Sequence, residues 1–259
     1  MEIHVIIGGL GLVSGFLSGL LGIGGGIVMA PLLLYVPPLF GIEPLPMRTV
    51  AGLTIVQGLL ACISGALSHR RFRFVSGRLS LYMGTSIFVA AMGGGIGSRY
   101  VSNEILLFLF AGLALCASFL MLIATKRDSE NPDIGCLSFH RWRAMISASG
   151  VGLLGGLVGQ GGSFILIPLM TSFVQIPTRI AIGSNLAIVL LSSAAGCIGK
   201  VATGQIEWLM TIPIALTVLP AAHVGSLVSR KVPVSRLRQA LALLIAVAAI
   251  KMWGSVLFT

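Results

Sequence analysis

Eight apolar stretches fill this chain, at about 3–35, 48–68, 79–98, 104–124, 144–176, 180–199, 208–229 and 237–258, and all seven acidic residues fall at their ends or between them. A helix needs ~20 apolar residues to cross the hydrocarbon core of a bilayer. Only 9% of the residues are charged, against roughly 25% in a soluble domain. A surface so poor in charge faces lipid, so the sequence predicts an all-α polytopic membrane protein.

The net charge of +10 does not imply nucleic acid as a partner. The basic residues gather in the breaks between apolar runs, as in cytoplasmic loops, and no basic patch is interleaved with aromatic residues. Cys62, Cys116, Cys136 and Cys197 are too far apart for a CxxC redox or zinc pattern. No metal and no cofactor is expected. Residues 3–21 are apolar enough for a signal-peptide core, but no basic segment precedes them, and the same pattern returns later in the chain.

That return is an internal repeat. At an offset of 137, Gly15, Gly19, Gly22, Gly24, Gly25 and Pro31 fall on Gly152, Gly156, Gly159, Gly161, Gly162 and Pro168. At an offset of 131, Arg48, Gly52, Gly65, Gly94, Ser98 and Arg99 fall on Arg179, Gly183, Gly196, Gly225, Ser229 and Arg230. The chain thus divides into a first transmembrane repeat at 1–124, a hydrophilic linker at 125–143 and a second repeat at 144–259.

Two topologies are open. If all eight stretches cross, the 17 cations divide ten to seven between the two sides. If the first and fifth are helical hairpins that return to the side they entered, the division is thirteen to four, with Arg48, Arg99, Lys200 and Lys251 as the four. The positive-inside rule favours the second. Each repeat then crosses an odd number of times, and the two repeats are inverted with respect to the membrane. The length of the arm at 3–21 speaks for the first, since it could nearly span alone.

The first repeat opens with GFLSGLLGIGGGIVMAPLL from Gly15 and the second with GLLGGLVGQGGSFILIPLM from Gly152. One glycine in mid-helix costs about 1 kcal/mol relative to alanine, so adjacent glycines mark a break. A new helix is expected to start at Gly26 and at Ser163. Its first N–H groups lack intrahelical acceptors and carry partial positive charge, which suits an anion. The expected substrate site comprises Gly24, Gly25, Gly26, Gln160, Gly161, Gly162 and Ser163, completed by Thr54, Gln57, Ser184 and Asn185 from the following spans. The alternatives are helix packing for the glycines and interhelical hydrogen bonding for the polar residues. His223 is a candidate proton relay, or a histidine held by a neighbouring helix. No mid-span carboxylate exists to build a cation path. Nor is there an HExxH, a GxSxG or a clustered His–Asp set, so no enzyme is expected.

The segments GLLGIGGGIVMAPLL at 19–33, GLVGQGGSFILIPLM at 156–170 and RIAIGSNLAIV at 179–189 resemble the TauE/SafE sulfite-exporter family of membrane permeases. The first-half twin RTVAGLTIVQG has Leu53 and Thr54 where the second half has Ser184 and Asn185, a departure from full symmetry. The resemblance implies transport of sulfite or a related sulfur oxyanion or organosulfonate across a bacterial inner membrane, and the expected mechanism is alternating access, with one repeat rocking against the other. The alternatives are an anion channel without alternating access and a membrane-embedded subunit that transports nothing itself.

Overall fold

The computed structural model describes residues 2–21, 24, 26–69, 75–122, 139–229, 232, 239, 243, 246, 247, 250 and 252–254. Nine α-helices follow one another among the described residues. They are α1 (Glu2–Leu21), α2 (Gly26–Leu39), α3 (Met47–His69), α4 (Gly77–Gly97), α5 (Asn103–Leu122), α6 (Arg141–Val158), α7 (Ser163–Ser172), α8 (Thr178–Ala202) and α9 (Trp208–Ser229). A short 3-10 turn, Ser98–Tyr100, links α4 to α5. Among the described residues, five helices are long and apolar enough to cross a membrane: Glu2–Leu21, Met47–Ser64, Gly77–Tyr100, Gly183–Ala202 and Trp208–Ser229. Large apolar side chains such as Val5, Val89, Leu209 and Leu216 are exposed, as a lipid-facing surface requires. The predicted all-α polytopic class holds.

Both glycine clusters break the chain where the sequence places the breaks. After the first, α2 has 14 residues, and after the second, α7 has 10. At 1.5 Å per residue they reach about 21 and 15 Å, short of a ~30 Å hydrocarbon core. The first pair is a hairpin, since Ser14 Oγ of α1 lies 3.2 Å from Met29 Sδ of α2.

Glycines also set the helix packing, and they do so twice over. Gly15 backs onto Val218 in α9, and Gly152 backs onto Ile87 in α4. A Cβ on Gly19 would overlap the Ala222 carbonyl, and one on Gly156 the Ala91 carbonyl. Gly225 abuts the Phe16 carbonyl as Gly94 abuts that of Leu153. The two repeat offsets convert each contact into its partner. The first helix of each half therefore packs against the fourth helix of the other: α1 on α9, α6 on α4.

The same contacts fix directions. Gly8, Gly15 and Gly19 meet Pro213, Val218 and Ala222 in rising order, so α1 and α9 are parallel. Gly152 and Gly156 meet Ile87 and Ala91, so α6 and α4 are parallel. Along α3, Gly52, Ile55 and Gly58 meet Gln205, Gly196 and Ser193. The numbers rise on one side and fall on the other, so α3 and α8, which are equivalent by sequence, run antiparallel.

Two details differ from the sequence pattern. The apolar stretches place Lys200 at the edge of a polar break, yet it lies within α8 and is fully buried. The fifth apolar stretch starts at about 144, whereas α6 begins at Arg141. Its first turn carries Arg141 and Arg143 on either side of an exposed Trp142. Both arginines find aromatic faces there, Arg141 over Tyr82 at 5.3 Å and Arg143 over Phe173 at 5.8 Å. Most of the linker and of the last apolar stretch lies outside the described residues. Among the described residues there, Trp253 Nε1 donates to the Ala111 carbonyl of α5 at 3.1 Å.

The glycine seams make a direct prediction. On α6, Gly156→Ala would drive a methyl into the Ala91 carbonyl, whereas Gly150→Ala meets nothing within 4 Å. In thermal unfolding of detergent-solubilised protein, Gly156→Ala is expected to lower the midpoint by several degrees. Gly150→Ala should leave it unchanged or raise it slightly.

Candidate substrate site

The two breaks meet. Gly24, in the first, is surrounded by Cys62 of α3, Val189 of α8 and Ser163 of the second hairpin. Gly26, the first residue of α2, lies against the side-chain amide of Gln160. Gly24 and Gly161 are equivalent positions, and both have positive φ, 68° and 60°. An L side chain is disfavoured in that region, so glycine is needed at both for the chain to turn inside the bundle.

The second turn aims a helix start at this junction. Gly162 occupies the N-cap position of α7 and has no side chain to accept from the first turn. Ser163 Oγ instead bonds back to the Gln160 carbonyl at 3.3 Å. The N-terminal amides of α7 thus remain the positive end of a helix at the centre of the bundle.

Buried polar groups lie on the elements that form this junction. Gln57 is 0% and Gln160 3% exposed. Both amide atoms of each have no hydrogen-bond partner, and neither do the buried hydroxyls of Ser192 and Ser193. Ser193 Oγ stands beside Gly161 and Gly58, at the level where α3 crosses α8. A buried polar atom left unpaired costs about 1–3 kcal/mol. The amide N–H groups of Gln57 and Gln160 are open to donate to an oxygen-rich solute, and their amide oxygens to accept from a hydroxyl or a water that accompanies it.

The other expected site residues have different surroundings. Thr54 Oγ1 lies 2.9 Å from the Gly159 carbonyl and 2.9 Å from that of Val50. Its single proton is engaged there, so Thr54 ties α3 to the second glycine turn. Ser184 accepts from the Ser76 backbone N–H at 3.1 Å, beside the start of α4. Asn185, the counterpart of Thr54, is buried on α8. His223 is exposed on α9, where Ser226 donates to its carbonyl. Gly25 lies outside the described residues. Ser192 and Ser193 escaped the sequence reading, because their first-half counterparts are Ala61 and Cys62. Among the described residues, no cluster of His, Cys, Asp or Glu is arranged to hold a metal.

The junction between the two broken hairpins thus combines a helix start with neutral polar side chains. The sulfite exporter TauE/SafE family profile matches residues 7–252. This chain belongs to that family. It is similar to the probable membrane transporter protein YunE of Bacillus subtilis, at 25% identity covering 88% of this chain and 89% of that one. A probable membrane transporter protein of Haemophilus influenzae is 26% identical over 94% of this chain and 96% of its own length. One from Methanocaldococcus jannaschii is 24% identical over 94% and 92%. No solved structure matches the chain significantly. Family membership places this multi-pass membrane protein among the transporters.

If Gln160 serves a ligand, it does so at a cost to the empty protein. Gln160→Leu is expected to raise the thermal midpoint, because a buried unpaired amide is removed. The same change should weaken substrate binding about tenfold or more, the worth of one hydrogen bond to a charged group. Melting curves and transport assays on one preparation check both signs.

Proposed function

We propose that the chain is a permease for a small anion, namely sulfite or a related sulfur oxyanion or organosulfonate. The observation that carries this reading is the meeting of the two glycine breaks, Gly24 beside Ser163 and Gly26 beside Gln160. It brings helix N-termini and unpaired amides to one place without a carboxylate. Such a site takes negative charge from backbone dipoles alone. A modest, delocalised attraction suits a transported solute, which must leave as well as bind.

The two halves are read as inverted repeats. Equivalent helices α3 and α8 run antiparallel, and each contains a candidate span. With α1, α3 and α9 pointing one way and α4, α6 and α8 the other, the start of α8 and the end of α9 lie on the side where α3 ends, as the inverted topology requires. On that topology the sequence assigns thirteen of the 17 cations to this side, and the positive-inside rule then makes it the cytoplasmic one. In a bacterium the membrane is the inner one.

The mechanism proposed is alternating access around the junction. The moving bodies are not the two sequence halves, because the closest seams join α1 to α9 and α6 to α4 across the halves. They are the interleaved units built on those seams, hinged where α3 crosses α8.

Purified protein in liposomes should take up radiolabelled sulfite saturably. Sulfate, taurine and chloride as competitors identify the preferred anion class. Preloading with unlabelled sulfite should accelerate uptake, because alternating access exchanges solute. Saturable uptake without that acceleration would favour a channel, and no uptake of any sulfur anion would sink the sulfur-anion reading.

A further inference from the structure

Lys200 is a second chemical centre that the junction does not use. Its side chain is fully buried. The ammonium donates to Ser98 Oγ at 2.7 Å, with the Leu157 carbonyl at 3.4 Å and Gln205 Oε1 at 3.5 Å. All three are neutral, and two of the three are long. Ser98 is in turn bonded to Gln205 Oε1 at 2.8 Å, and Gln205 Nε2 to the Gly95 carbonyl at 3.1 Å. These polar groups form a small network in which the only ionisable member is a cation.

The nearby charged residue is also a cation. Arg48 Nη2 donates to the Val101 carbonyl at 2.9 Å, and its backbone N–H to Asn103 Oδ1 at 3.0 Å. Its Nε is buried without a partner. Val101 adjoins the 3-10 turn that contains Ser98. One turn beyond Arg48 on α3, Gly52 abuts the Gln205 carbonyl. Lys200 and Arg48 thus flank the same two structures, the turn at 98–101 and the segment at Gln205. A buried cation is normally paired with a carboxylate, and here its neighbour is a like charge with an open donor.

We propose that Lys200, Arg48, Ser98 and Gln205 form a second site for the transported anion, at the extracytoplasmic end of its path. The proposal rests on reading the chain as an anion transporter. It follows α8: Lys200 is seven residues beyond Ser193, so it lies on the same helix face about 10 Å along. An oxyanion there would receive the Lys200 ammonium and the free Arg48 Nε–H, and it would offset the repulsion between the two cations. Unlike the junction, this site holds its ligand by full charges. The repeat offset pairs Lys200 with His69, Arg48 with Arg179 and Ser98 with Ser229. The sequence thus has a weaker base where the other half has the lysine, so the full-charge site belongs to one end of the path.

Equilibrium binding of radiolabelled sulfite to the full chain in detergent separates the two sites. Two equivalents per chain are expected for the unaltered protein, and one each for Lys200→Met and Gln160→Leu. Lys200→Arg should keep both. A single equivalent that Gln160→Leu loses and Lys200→Met keeps would overturn the second site and leave the central one. A single equivalent lost only in Lys200→Met would support the second site and remove the central reading. No saturable binding to the unaltered protein would overturn both. If Lys200→Met does not yield monodisperse protein, Arg48→Met is read instead. It should weaken one equivalent about tenfold or more, and unchanged affinity for both equivalents would overturn the proposal.

Discussion

A polypeptide in hydrocarbon must satisfy its own backbone, and this chain interrupts its helices at mid-bundle only where protein surrounds the interruption. The turns at Gly24 and at Gly159–Ser163 lie inside the bundle. Each is enclosed by the other and by α3 and α8. Thr54 holds the second turn by reaching its Gly159 carbonyl. The rest of the architecture follows from keeping these two interruptions together. The flanking helices must approach closely enough to exclude lipid, which is why their contact surfaces are glycine against carbonyl.

The breaks were legible because they are a local backbone effect. Consecutive glycines between apolar arms carry a fixed conformational cost, and the expected helix starts at Gly26 and Ser163 coincide with those of α2 and α7. The repeat was legible for the same reason, since small residues recur where backbones touch. Partner choice was not. Nothing in the segment around Gly15 specifies that it faces Val218, near the far end of the chain, rather than a neighbour in its own half.

Side-chain roles divided along a similar line. Gln57 and Gln160 were conspicuous as amides inside apolar runs, and both are buried, Gln160 at the junction against Gly26. Ser184 looked equally polar, yet it serves the start of α4. Ser193 was hidden among small residues, because a serine in such a helix is ordinarily bonded back to its own turn. Lys200 was misplaced because a lysine followed within four residues by a threonine and a glycine reads as a loop. Its partners Ser98, Leu157 and Gln205, distant in sequence or across a turn, are what receive its ammonium in the interior.

The exchange of helices between halves also bears on how such a protein is made. The glycine stripe of α1 leaves the ribosome well before α9, its partner, because α2 to α8 lie between them in the chain. Until then Gly15 and Gly19 offer a groove with nothing to fill it. The first half cannot complete its packing alone, so assembly within the membrane must wait until α9 has been made. During that interval the same groove is open to the matching helix of another copy, and the order of synthesis itself becomes a hazard that the fold has to outrun.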